Sequence, residues 1–192
     1  KVVGQATPLI ITSDASVSGD CTAITGVSRH PTNYSNVALR MAYKWDPPKG
    51  CKIDYERTAN QLTGLSLWQQ VIDICMRYNV VEFGYDEWQL HHLTNQLRAL
   101  GIVWCRPFSQ STARDVADKQ LYDLIKLRRI GYNPNSSKVD HAAMSLHLQN
   151  ASRQIRAKED TKLHIIKSGD DKKIDLTVSL SMSCAECLRV DM

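Results

Sequence analysis

Apolar positions along the chain change period several times, and those changes outline its architecture. Leu9 to Ser13 is a continuous apolar run of strand length, Cys21 to Ser28 alternates loosely through Ala23, Thr25 and Val27, and Val37 to Trp45 is a third strand. Turn formers at Ser18-Gly19-Asp20 and at Pro31 to Asn36 separate them, and Pro47-Pro48-Lys49-Gly50 closes the third, so the first third reads as a β-meander. The period then becomes helical. Leu65, Trp68, Val71/Ile72 and Cys75/Met76 mark a helix from 65 to 78. A fourth strand, Val80 to Tyr85, leads into a helix carrying Leu90, Leu93, Leu97 and Leu100, which Gly101 stops.

Further on, the pattern predicts a short fifth strand at Ile102 to Cys105 and a helix from Thr112 to Arg129 with Ala117, Leu121 and Leu124/Ile125 inward. A helix from Val139 to Asn150 follows, with Ala142/Ala143 and Leu146 inward. Arg153 to Lys158 and Lys162 to Lys167 read as a basic hairpin turning at Glu159-Asp160-Thr161. A last helix uses Ile174, Val178, Ser181/Met182, Ala185 and Leu188. A meander that passes into right-handed βαβ units predicts an α/β fold, a mixed sheet of five or more strands with helices on both faces, as in the ribonuclease H-like fold. Such a sheet pairs its first and fourth strands in parallel, which sets Asp14 and Asp86 side by side at one edge. A final helix crossing that edge would bring Asp175 to them.

Composition narrows the class without deciding it. The 192 residues suffice for one domain; 43% are hydrophobic, 23% charged, and the net charge of +4 favours polyanionic partners only mildly. No apolar stretch approaches the roughly 20 residues that span a bilayer. No signal peptide is apparent and no Walker-type phosphate loop occurs; with Lys1 leading almost at once into a strand, the chain reads as a domain of a longer protein. Nine widely spread glycines offer no paired phosphate loops, which sets aside the actin-like ATPases. The six cysteines are scattered and fit a reducing compartment. Cys184-x-x-Cys187, the one close pair, lacks a second pair or well-spaced histidines and reads as helix core rather than zinc. The histidines form no metal pattern, and Trp45, Trp68, Trp88 and Trp104 read as core and rim packing.

Carboxylates carry the candidate chemistry. Asp14 and Asp86 end strands and Asp175 begins a helix. Each has an ordinary alternative, as a turn cap, as an N-cap for the helix at Glu87, and as a helix-start carboxylate. Together they suit hard divalent ions acting on phosphate. Asp20 either faces this site or shapes the turn at Gly19. Lys172, one helical turn before Asp175, either balances the carboxylates or lies in solvent, and Glu87, Asp170 and Asp171 read as surface. Arg153, Arg156, Lys158, Lys162, Lys167, Lys172 and Lys173 cluster ahead of Asp175, and alternate residues of a strand could follow a phosphate backbone.

Three stretches in order, Ser13-Asp14-Ala15-Ser16-x-x-Gly19-Asp20-Cys21-Thr22-Ala23, Gly84-Tyr85-Asp86-Glu87-Trp88-Gln89 and Lys172-Lys173-Ile174-Asp175-Leu176-Thr177-Val178-Ser179-Leu180, resemble the nuclease domain of the large terminase subunit of tailed bacteriophages and related viruses. The resemblance spans nearly the whole chain; Leu176 to Ser179 stand where that family often has alanines. It implies a ribonuclease H-like endonuclease that cuts concatemeric double-stranded viral DNA with little sequence preference during packaging. Asp14 would be shared by two Mg2+ or Mn2+ ions, each completed by Asp86 or Asp175. It also implies a preceding ATPase motor, portal and small terminase partners, and a place in the host cytoplasm, outside the mature virion. Junction resolvases and strand transferases share such a site, and a catalytically silent DNA-binding module is the remaining alternative.

Overall fold

The computed structural model describes residues 6–15, 20–155 and 162–190. The strands β1 (Leu9–Asp14), β2 (Thr22–Arg29) and β3 (Val37–Trp45) form the meander. After it come α1 (Leu67–Arg77), β4 (Val80–Asp86), α2 (Glu87–Leu100), β5 (Cys105–Phe108), α3 (Thr112–Lys126), β6 (Ile130–Tyr132) and α4 (His141–Asn150). A hairpin, β7 (Ala151–Ile155) and β8 (Leu163–Lys167), precedes α5 (Asp175–Arg189). The sheet has six strands in the order β5-β4-β1-β2-β3-β6. β1 and β3 flank β2 antiparallel, while β4 joins β1, β5 joins β4 and β6 joins β3 in parallel.

Strand alternation divides the core in two. Leu9, Ile11 and Ile24 face α1 and α2, with Leu67, Val71, Ile74, Leu90, Leu93 and Leu97 packed against them. Ile10, Ala23 and Val27 face the opposite layer, where α3, α4, α5 and the hairpin lie. α5 is buried along most of its length, Cys184 and Cys187 included, and both thiols are free. Burial pushes the Cys187 thiol up to about 11 and that of Cys184 higher, as expected of core residues. Among the described residues no helix is long and apolar enough to cross a membrane.

Several elements differ from the periodicity, each for a local reason. β5 forms at Cys105–Phe108 rather than at 102–105. After the left-handed Gly101, Ile102 and Val103 pack under the sheet as connection, and pairing begins at Phe83↔Cys105. Pro107 is tolerated because β5 is an edge strand. α3 ends at Lys126, not Arg129, and Arg128 with φ 54° turns the chain into β6, a three-residue strand too short to show alternation. Ile125 is largely exposed. In α4 the inward face is Ala143, Met144 and His147, whereas Ala142 and Leu146 face out. Trp45 is buried, but Trp88 and Trp104 stand in solvent rather than packing.

Candidate metal centre at the carboxyl edge of β1 and β4

Parallel pairing of β1 with β4 runs in register to Ser13↔Tyr85, so the next residues, Asp14 and Asp86, end adjacent strands about 4.8 Å apart. Both point to the α5 side. Asp14 shares a face with Ile10 and Thr12, and the Thr12 hydroxyl donates to the Ser179 carbonyl of α5 at 2.7 Å. Asp86 shares a face with Glu82, which accepts from Arg189 of α5 at 2.6 Å. α5 opens on Asp175 at this same edge, and a Ser/Thr seam holds it there. Ser179 Oγ bonds the Thr12 carbonyl at 2.9 Å and the Thr25 amide at 3.0 Å, and Ser183 meets Thr25 at 2.9 Å.

The electrostatics place Asp14 within reach of the other two carboxyls. Although part of Asp14 reaches solvent, burial pushes its carboxyl well above the usual range; negative Asp175 adds to this, Arg114 opposes it, and Asp86 and Asp20 push the same way. Asp175 is raised by burial against the Cys21 thiol and its own backbone amide, with Asp20 raising and Lys167 lowering it. Asp86 is raised by burial, against the Trp88 amide and Arg114. Its Oδ1 accepts from Trp88 N–H at 3.0 Å, so the N-cap contact is made alongside its place at the edge.

Buried carboxyls gathered at one edge, with Asp14 raised by both of the others, are a donor set that a hard divalent cation relieves. Among the described residues one trio of metal-capable groups has donor atoms all within 4.8 Å: Cys21, His147 and Asp175. The three aspartates are spaced more widely. A pair of ions, rather than one, would serve carboxylates that do not all reach a single centre. The closer trio is already hydrogen-bonded within the fold. His147 Nδ1 accepts the Leu176 amide at 3.0 Å, and burial lowers this imidazole to about 4. The Cys21 thiol donates to Asp175 Oδ2 at 3.1 Å, and burial with Asp175 beside it pushes the thiol far up.

Charges predicted to serve DNA are placed unevenly. Lys167 is tied to Asp20 at 2.6 Å, so Asp20 is both near the carboxyls and neutralised from the hairpin. Lys173 reaches Asp46 at 3.6 Å, and Lys44 pairs with the same carboxylate. Lys172 sits in a turn, not in a helix, and meets Asp171 at 3.4 Å; Glu87, Asp170 and Asp171 are exposed, as expected. Arg153 lies over the Tyr122 ring and donates to its hydroxyl at 3.0 Å, while Lys162 is exposed. Arg156 and Lys158 lie outside the described residues. The described basic side chains of the hairpin therefore do not line one open face. Leu163 and Ile165, which share the Arg153 and Lys167 face, turn it toward the body of the protein.

Sequence reasoning missed three residues here: Arg114, Cys21 and His147. Arg114 is buried, clamped by Asp118 at 2.9 Å and by Gln110 at 2.9 Å. His147 could have been found from its i, i+4 spacing to Ala143 had the inward stripe of α4 been set one residue later.

No protein-family model and no curated protein matches the chain. Solved structures do match. The large terminase of bacteriophage HK97 superposes with a TM-score of 0.74 at 16% identity, covering 96% of this chain and 40% of that one. The magnesium-bound large terminase nuclease of thermophilic phage G20c gives 0.60 at 15% identity, covering 93% and 80%. The manganese-soaked human cytomegalovirus terminase nuclease domain gives 0.55 at 10%, covering 94% and 83%. This chain thus spans 40% of the HK97 protein's length. At such identities the likeness is one of fold, and the fold is that of ribonuclease H-like large terminase nuclease domains.

Proposed function

We propose that the chain is a metal-dependent endodeoxyribonuclease domain that cuts double-stranded DNA during viral genome packaging, as one part of a longer protein with an ATPase motor. The observation that carries the reading is the convergence of Asp14, Asp86 and Asp175 on one sheet edge, where the charges of the other two raise the Asp14 carboxyl. The fold shared with terminase nucleases, one solved with magnesium and another soaked with manganese, supports it.

Asp14 would be the shared ligand of two Mg2+ or Mn2+ ions, with Asp86 and Asp175 each completing one side. Such ions, when bound, supply a water acidic enough to attack phosphorus and charge to offset the leaving 3′-oxygen. The chain's own groups prepare the edge. Trp88 N–H fixes one oxygen of Asp86, the Cys21 thiol fixes one of Asp175, and Lys167 offsets Asp20. Arg114 partly offsets the charge of Asp14 and Asp86. In this reading the DNA backbone approaches past Lys162 and Lys172, with Arg153, Lys167 and Lys173 adding longer-range positive potential. No base-reading element occurs among the described residues, so cutting would show little sequence preference. The site of action would be the host cytoplasm, with portal and small terminase as partners of the whole protein.

The test is plasmid nicking with Mg2+ or Mn2+, with and without EDTA. Wild-type chain should nick only with metal, and Asp14→Asn or Asp175→Asn should remove activity while the far-ultraviolet circular dichroism spectrum is unchanged. Cleavage retained by either variant refutes the assignment. Preferential cutting of a four-way junction would move the reading to a resolvase.

A further inference from the structure

Asp175 is the first residue of α5, and its helix begins without local help: Ile174 stands at the N-cap position and makes no side-chain cap hydrogen bond. Opening amides of a helix still need acceptors. The acceptor comes from another helix. His147 of α4, 2% exposed, offers Nδ1 to the Leu176 amide at 3.0 Å. An imidazole that accepts at Nδ1 carries its hydrogen at Nε2, so this nitrogen serves the helix and is not a spare metal ligand. One turn along α4, Asn150 Nδ2 donates to the Lys173 carbonyl at 3.1 Å, and the Asn150 carbonyl accepts from Ser168 N–H at 2.8 Å. α4 therefore grips the backbone on both sides of Asp175. Beside His147, the fully buried Cys21 thiol reaches Oδ2 of Asp175 at 3.1 Å.

We infer that His147, Asn150 and Cys21 are positioning residues for Asp175, setting the place and rotation of its carboxylate for the metal ions; the inference rests on the nuclease reading above. Three contacts from two separate elements converge on one short segment, although an ordinary helix start needs only a neighbouring serine or aspartate. A thiol is a weak donor, so it orients Oδ2 while leaving most of the oxygen's basicity for a cation. Partners of this kind typically change metal affinity about 10- to 100-fold when removed.

The experiment measures Mn2+ binding to the 192-residue chain by isothermal titration calorimetry, nicking kcat and KM for plasmid, and melting in EDTA. His147→Phe keeps an aromatic ring but loses the acceptor. His147→Asn places an oxygen close to where Nδ1 stood. Expected results are Mn2+ affinity down about tenfold or more in His147→Phe and Cys21→Ala, with kcat lowered and KM for DNA unchanged. His147→Asn and Cys21→Ser should recover affinity to within about threefold of wild type. Asn150→Ala tests the second grip should His147→Phe fail to fold, with the same loss expected. Wild-type Mn2+ affinity in folded His147→Phe or Asn150→Ala overturns the proposal, as does His147→Asn behaving like His147→Phe. A wild-type chain that neither binds Mn2+ nor nicks refutes the nuclease reading instead, and this inference with it.

Discussion

Asp118 offers the sharpest test of how the site is supported. It is wholly buried on α3, and four donor contacts converge on its carboxylate: Arg114 Nε to both oxygens at 2.9 Å, Ser181 Oγ of α5 at 2.5 Å and the Ile165 amide of β8 at 2.8 Å. One side chain thus joins α3, α5 and the hairpin, and holds the guanidinium that offsets Asp14 and Asp86. Asp118→Ala strands a nearly buried cation, a change that typically costs about 3–5 kcal/mol. It also leaves the Ile165 amide without its acceptor, for about 1–3 kcal/mol. Neighbouring losses do not simply add, so the expected total is about 4–6 kcal/mol, a large share of the roughly 5–15 kcal/mol that stabilises a domain. Urea unfolding followed by circular dichroism gives the number. The paired variant Arg114→Met/Asp118→Leu removes the stranded charge and should recover about 2 kcal/mol or more of it. A loss below about 1.5 kcal/mol for Asp118→Ala, or no recovery in the pair, would refute the view that this buried ion pair braces the layer under the site.

Asp14→Asn should raise the melting temperature in EDTA, because it removes a carboxyl that burial and Asp175 hold above its usual range, while abolishing nicking; unchanged or lowered melting contradicts the crowding argument. Gly84→Ala puts a Cβ 2.9 Å from the Thr12 methyl and should cost about 1–3 kcal/mol in urea unfolding. Glu82 is raised by burial and by Glu186, against Arg189, so the folded state keeps its proton at pH values where the unfolded chain has lost it. Its stabilising effect is complete below the unfolded value near 4.5 and is lost as pH rises through the folded one, at no more than about 1.4 kcal/mol per pH unit. Glu82→Gln should flatten urea midpoints measured from pH 4.5 upward, and an unaltered slope counts against it.

What could be read from the chain was what depends on period and on strand ends. β1 to β4 and α2 follow the apolar pattern closely because each buries one face against a continuous layer, and parallel β1–β4 pairing placed Asp14 beside Asp86 without any local motif. Reading failed where tertiary context decides. β6 exists because β3 leaves an open edge beside Ile130–Tyr132, which three residues of sequence cannot announce. The hairpin cations were legible as charges but not as partners: Lys167 goes to Asp20, and Arg153 lies on Tyr122. The roles of His147 and Cys21 escaped notice because they lie in hydrogen bonds to another element's first turn; spacing can turn His147 inward but cannot say what it binds.

The composition of α5 shows how the fold brings the third carboxylate to the edge. A helix with large residues along the β1–β2 seam would ride high above the sheet and lift Asp175 away from Asp14. Instead Ser179 and Ser183 meet Thr12 and Thr25, so hydroxyls bond directly to strand backbone and to each other, and Gly84 leaves β4 flat beside Thr12 and Glu186. Further along, the Glu82–Arg189–Glu186 cluster pins the other end of the helix over β4. Small polar residues in the middle, an ionic anchor at the far end and the His147 grip at the near end constrain tilt, height and rotation separately. Strand register sets the places of Asp14 and Asp86, with the Trp88 amide orienting the latter, but Asp175 requires all three constraints. The position of Asp175 is therefore the part of this candidate site most sensitive to substitution at residues outside the carboxylate trio.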